Sequence, residues 1–204
     1  LIIAFVLLAV VGCKKHSNEN KKEEQRIENE YNLGVPISEI KLNYEKIRNA
    51  SSVQEAKVIF NTFSHKEASA VWKYRLILVK ESDKYTKEQN EVFDFCINRL
   101  SSVDLYSKLQ TDEVQSIEEM IMLCFSESLG YKIFCTFDDI VIAKTVGGGG
   151  PSYCECSTES DWCGAFESGS NRSVCVAQSN CGGGVGCGTL WRYSCGGRCM
   201  IRMN

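Results

Sequence analysis

Proline and histidine are nearly missing from this chain. There are two of each in 204 residues: Pro36 and Pro151, His16 and His65. A Ser-His-Asp triad or a Cys-His pair could draw only on those two histidines. The chain has no G-x-S-x-G elbow, no H-E-x-x-H pair, no G-K-[ST] phosphate loop and no EF-hand pattern. No enzymatic activity and no cofactor are therefore expected. Charge of one sign is also scarce. A net charge of −3 gives no bulk attraction to nucleic acid, and no nucleic-acid partner is expected. Long apolar runs are absent too. The longest, Leu1 to Val11, falls far short of the ~20 residues that span a bilayer. Finally, the stretch from Pro151 to Asn204 lacks lysine and holds one leucine, Leu190, and one isoleucine, Ile201. A segment that short and that poor in aliphatics cannot build an adequate apolar core alone.

What that stretch has instead is cysteine. Eight of the chain's 12 lie there: Cys154, Cys156, Cys163, Cys175, Cys181, Cys187, Cys195 and Cys199. An even count in a short, glycine-rich segment reads as a disulfide framework made in an oxidising compartment. A bridge closing about 15 residues contributes about 3 kcal/mol, so a few bridges outweigh what Leu190 and Ile201 can bury. Cys154 and Cys156 should take different partners, because one intervening residue makes a poor ring. Eight cysteines allow on the order of a hundred pairings, and sequence does not choose among them. Zinc is the chemical rival. Cys195 and Cys199 have a suitable spacing, but Cys154 and Cys156 are too close for a knuckle and export favours oxidation. No metal site is expected.

The N-terminus agrees with export. Leu1 to Val11 suits the apolar region of a signal peptide entered partway, since neither an initiator Met nor a basic start precedes it. Val10-Val11-Gly12-Cys13 resembles a bacterial lipobox, with residues 1–12 as signal and the Cys13 thiol as the site of lipidation. Acyl chains on Cys13, at ~0.8 kcal/mol per buried CH₂, would anchor the protein to a membrane. The alternative is a plain cleaved signal with an incidental cysteine. Residues 13–35 then read as anchor and charged tether, because Lys14 to Glu30 carries a single apolar residue, Ile27. Lys14 after Cys13 is compatible with sorting to an outer membrane.

Residues 36–145 show helical periodicity. Val53, Ala56, Ile59, Phe60 and Phe63 share one face. Ser64 to Glu67, Thr86 to Gln89 and Ser116 to Glu119 have the form of capping boxes, the last of them inside a longer helical pattern. Gly130 is placed to end a helix. Tyr131 to Phe137 is ambiguous between strand and helix, with helix favoured. Between Tyr44 and Lys144 there is no proline and one glycine, as a helical bundle requires. Phe60, Phe63, Trp72, Phe93 and Phe125 form its expected core. Cys96, Cys124 and Cys135 fall on apolar faces and read as small buried hydrophobes. One bridge among them, or a reactive thiol beside His65, are the competing readings. Residues 146–151, with Gly147 to Gly150 before Pro151, form a linker. A sharper reading makes it a processing site, where cleavage after Gly150 would release Pro151 to Asn204, which contains the cysteine-rich module, residues 152–204. The expected fold is mainly α: a helical bundle followed by a small disulfide-rich, β-poor module.

Two blocks of the module carry a resemblance. Cys154-Glu155-Cys156-Ser157-Thr158-Glu159-Ser160-Asp161-Trp162-Cys163 has the form C-x-C-S-T-x-S-D-aromatic-C. Gly186-Cys187-Gly188-Thr189-Leu190-Trp191-Arg192-Tyr193-Ser194-Cys195 has the form G-C-G-T-x-W-x-Y-x-C. In pattern and order they resemble the bacteriocin fulvocin C-related lipoproteins. The spacing between Cys163 and Cys187 departs from the pattern, and so does Cys195-Gly196-Gly197-Arg198-Cys199. The resemblance implies a shared scaffold more securely than shared killing. Two functions follow as expectations. One is an antibacterial effector or its precursor, tethered or released, with Trp191, Arg192, Tyr193, Arg198 and Arg202 touching a target-cell envelope component. The other is a non-killing binding or structural lipoprotein, lipid-anchored in the cell envelope at the outer membrane or its periplasmic face.

Overall fold

The computed structural model describes residues 22–101, 111–137, 154–166, 173–181 and 184–201. Cys13, the linker 146–151 and Arg202 lie outside them.

The first helix, α1 (residues 22–31), lies where a solvated tether was expected. The single apolar residue of that stretch, Ile27, is 2% exposed, and Leu33 just beyond the helix is buried with it. Arg26 reaches Glu23, Glu30 and Glu81, and Lys41 reaches Glu24. Exposed pairs of this kind contribute little. Burial of Ile27, and Lys73 donating to the carbonyls of Tyr31 and Asn32, hold the helix down. The composition hid this because one well-placed isoleucine does not change a charge-rich average.

α2 (Ile37–Arg48) starts behind Pro36 and buries Ile37, Ile40, Tyr44 and Ile47. α3 (Val53–Phe60) is capped by Ser52, whose hydroxyl accepts from the Glu55 amide. α4 (His65–Ser82) opens on the expected capping box, with Ser64 and Glu67 each accepting from the other's amide. α5 (Lys87–Ser101) opens on the same device between Thr86 and Gln89. α6 (Thr111–Cys124) and α7 (Glu127–Phe134) complete the helices of the described residues. Ser116 is interior to α6 rather than at its start. The residue that caps a helix nearby is Ser126, which accepts from the Leu129 amide.

Gly130 does not end a helix; it lies in the middle of α7. A Cβ there would sit 2.8 Å from Ile121 Cγ2 and 3.2 Å from the Trp162 ring. Glycine is needed for a close approach of α6, α7 and the module, which outweighs its ~1 kcal/mol helix penalty relative to alanine. The Tyr131–Phe137 stretch continues α7 to Phe134, with Phe134 and Phe137 fully buried.

The module adds two short antiparallel ribbons. β1 (Ser173–Ala177) pairs with β4 (Gly197–Ile201), placing Cys175 opposite Cys199. β2 (Val185–Cys187) pairs with β3 (Tyr193–Ser194). One-turn 3₁₀ segments lie at Cys163–Phe166 and Thr189–Trp191. All eight module cysteines are bridged, as Cys154–Cys181, Cys156–Cys175, Cys163–Cys199 and Cys187–Cys195. Cys154 and Cys156 take different partners. Cys96, Cys124 and Cys135 are free thiols, the first and last buried and Cys124 half-buried.

The module does not rest on its bridges alone. Trp162, Leu190, Trp191 and Tyr193 belong to the same apolar core as Phe60, Trp72, Phe134 and Phe137. Helices and module are packed into one body of hydrophobic side chains. Enlarging Gly130 tests that packing. Gly130→Leu should destabilise the oxidised protein by about 1–3 kcal/mol through overpacking. Urea unfolding followed by far-UV circular dichroism should show the lower midpoint.

Candidate functional site

The seam between module and helices is the most specialised place among the described residues. It is built on the segment closed by Cys187–Cys195, the shortest of the four bridged loops, with a sequence separation of 8. Gly188 enters with φ +68°. A Cβ on it would lie 2.4 Å from Ser160 Oγ and 2.7 Å from Tyr193 Cδ2, so both its conformation and its space demand glycine. Leu190 and Trp191 follow with φ of 55° and 53°. Two consecutive left-handed residues with large side chains are uncommon and cost of order 1–3 kcal/mol each. The result is that Leu190 and Trp191 turn inward.

Trp191 is 3% exposed. Its ring lies 5.3 Å from Phe60, 4.9 Å from Phe137 and 6.1 Å from Trp72, centroid to centroid, in edge-to-face geometry. Its Nε1 donates to the Cys135 carbonyl at 2.7 Å. The ring therefore joins α3, α4 and the segment after α7.

A polar network runs beside it. Trp162 Nε1 donates to Thr189 Oγ1 at 3.0 Å, and the Thr189 amide donates to Ser160 Oγ at 3.0 Å. Ser160 Oγ donates to Glu118 Oε1 at 2.5 Å, tying the module to α6. Burial raises the Glu118 carboxyl above its usual range, against the hydrogen bonds from Ser160 and Thr189. Burial and then the Glu118 charge push the Cys135 thiol well up. Burial pushes Cys96 up to about 12. These thiols are protonated at neutral pH and poor nucleophiles. His65 is exposed at the start of α4, whereas Cys96 and Cys135 are buried.

On the other side of the bridge lies Lys57. Its Nζ is 3.2 Å from Cys187 Sγ and 3.4 Å from Cys195 Sγ, and its stem packs where a side chain on Gly186 would sit. Burial pulls its amine down to about 8, with the Glu155 charge acting weakly the other way. The lysine stem and amine lie along the Cys187–Cys195 bridge and tie α3 to it.

The expected target-contact residues are redistributed by this geometry. Trp191 and Tyr193 are buried against the protein's own core. Trp191 finds a partner for its Nε1 in the Cys135 carbonyl, whereas the buried Tyr193 hydroxyl has none among the described residues. Arg192 and Arg198 are half-buried, and Arg202 lies outside the described residues. The sulfurs of Cys156, Cys163 and Cys175 lie within 4.8 Å of one another, but each is bonded to another sulfur. Asp161 anchors that cluster by accepting from the Cys163 amide at 3.0 Å and the Cys175 amide at 2.9 Å. Sequence reasoning missed Lys57, Glu118, Ser160 and Thr189. For Lys57 a signal existed: it follows Ala56 and lies three residues before Phe60, on the buried side of α3.

Comparison with protein-family models, curated proteins and solved structures finds no match to this chain. Among the described residues, no helix is long and apolar enough to cross a membrane.

Lys57 gives the seam a pH signature. Its folded value is near 8 and its ordinary value is 10.5. Between those values the unfolded chain holds the proton and the folded one releases it, so the Lys57 contribution becomes more favourable as pH rises through this window. Buried tyrosines act in the opposite sense above their ordinary value of 10, so the difference between two proteins is the clean observable. Lys57→Met should show its largest stability advantage over the parent at pH 7. Paired urea titrations at pH 7, 8, 9 and 10 should show that advantage shrinking steadily.

Proposed function

We propose that this chain is an exported, non-catalytic protein of the bacterial cell envelope, held by lipid on Cys13, whose fulvocin C-like module works while joined to its helices. The observation that carries this reading is the burial of Trp191 between α3, α4 and the Cys135 carbonyl. A module designed to leave at Gly150 would have to withdraw that ring, with Leu190, Tyr193 and Trp162, from a shared core. Exposing one such side chain costs roughly 1.5–3 kcal/mol or more. Binding or structural display by the intact protein needs no such step. The surface left for display includes the outer face of the β1–β4 ribbon, where Val174 and Val176 lie opposite Met200 and Arg198. Val176 and Met200 are exposed there. The sequence resemblance supports a common disulfide scaffold, and the lipobox supports the anchor.

The test is intact-mass spectrometry of native protein from fractionated cells, membranes against medium. The expected species is membrane-bound, carries acyl mass on Cys13, retains the module and lacks eight hydrogens relative to its reduced form. A soluble species beginning near Pro151 that inhibits growth of other bacteria would replace this reading with a released effector.

A further inference from the structure

The Cys187–Cys195 bridge has a neighbour whose charge the packing of the seam does not require. An apolar side chain would fill the space between α3 and the bridge. Lysine fills it with its stem and then sets a charge against the sulfurs. Lys57 is 8% exposed, and its Nζ lies 3.2 Å from Cys187 Sγ and 3.4 Å from Cys195 Sγ. Disulfide sulfur is a weak acceptor, so it compensates little for burying an ammonium group. Burial is the larger effect on this amine and the Glu155 charge opposes it. With a value of about 8 the amine is mostly charged at pH 7.

A thiolate is a far better partner for a buried ammonium than a disulfide is. Thiol–disulfide exchange makes one: an incoming thiolate bonds to one sulfur, and the other leaves with the electron pair of the S–S bond. An opposite charge within about 4–6 Å lowers the pKa of an acid by about 1–3 units. A leaving thiol of lower pKa leaves faster.

The surroundings distinguish the two sulfurs. Cys187 is 2% exposed and Cys195 is 7% exposed. Cys195 precedes Gly196, and its amide donates to the Gly184 carbonyl at 2.9 Å. A Cβ on either glycine would meet nothing within 4 Å. Cys187 instead lies between Gly186, which is under the Lys57 stem, and Gly188, which is against Ser160 and Tyr193. Its sulfur is also the nearer of the two to Lys57 Nζ. We propose that Cys187–Cys195 is a redox-active bridge, opened by a dithiol reductant that attacks Cys195 Sγ while the Cys187 thiolate leaves onto the Lys57 ammonium. The second thiol of the reductant then displaces Cys195 from the mixed disulfide. The reductant ends as a disulfide, having given two electrons to the bridge. One of its protons ends on Cys195 and the other in solvent, while Cys187 stays a thiolate. The bridge closes the turn that holds Leu190 and Trp191 in left-handed backbone. Its opening therefore loosens the turn that seats Trp191 against α3 and α4.

The test reads each bridge separately. The oxidised full chain, parent and Lys57→Met, is equilibrated at pH 7 with graded ratios of reduced to oxidised dithiothreitol. Thiols are trapped in acid with N-ethylmaleimide and assigned by peptide mass spectrometry. In the parent, Cys187–Cys195 should be half-reduced at a ratio at least about tenfold lower than in Lys57→Met. Cys156–Cys175 and Cys163–Cys199 should move little between the two proteins. An unchanged midpoint for Cys187–Cys195, or an equal shift of all the bridges, would overturn the role of Lys57. A second variant separates charge from packing. Cys195→Ser leaves Cys187 as a thiol beside Lys57, and site-resolved alkylation across pH should place it below the ordinary value of about 8.5. Adding Lys57→Met should raise it by about one unit or more. Equal titration with and without Lys57 would overturn the proposal. Brief exposure of the parent to glutathione, quenched with acid, should leave the mixed disulfide on Cys195. Glutathione on Cys187 would overturn the direction of attack.

Discussion

The structure depends on one aromatic ring crossing a boundary. Trp191 belongs to a cysteine-rich module by sequence and to a helical core by position. Its burial explains why the chain tolerates two consecutive left-handed residues, Leu190 and Trp191. A loop of that shape is unfavourable by itself. It persists because the Cys187–Cys195 bridge shortens the alternatives and because the ring, once inside, removes a large apolar surface from water. Gly188 permits the entry, Lys57 lies along the bridge, and the Thr189–Ser160–Glu118 chain satisfies the polar atoms that the turn carries inward. Each part makes sense only with the ring in place.

Bridges and core divide the work differently from the division that composition suggests. Bridges do supply what the module's few aliphatics cannot. Three of them, Cys154–Cys181, Cys156–Cys175 and Cys163–Cys199, tie the β1–β4 ribbon and its neighbours into a fixed shape. Yet Leu190 is buried in a core that the helices provide, so the module gains apolar burial from outside its own sequence. A short disulfide segment that borrows a core is physically unlike a free disulfide peptide, even where local patterns agree. That distinction favours a protein acting as a whole.

Much of the helical architecture was legible because its signals are local. Ser64–Glu67 and Thr86–Gln89 cap helices as their spacing requires, and the phenylalanine stripe forms the core. The cysteine framework was legible as a framework but not as a map, since pairing is decided by distances in space. The features that stayed hidden share a cause. Ile27, Gly130 and Trp191 all owe their roles to partners far away in the chain: the shared core for the first, Trp162 for the second, Phe60 and Phe137 for the third. A charged average, an isolated glycine and an aromatic beside arginine each have a common local meaning that tertiary contact replaces. Lys57 was missed for the same reason, although its place on the α3 apolar face was visible.

Hydrogen exchange on the oxidised protein, with and without Trp191→Ala, tests the shared core most directly. The ring joins the Thr189–Trp191 turn to α3 and α4, so its removal should weaken protection in the module and in α3 together while the four bridges remain intact. Loss of protection confined to residues 184–195, with α3 exchanging as in the parent, would mean that module and helices are separate bodies in contact and would contradict the account.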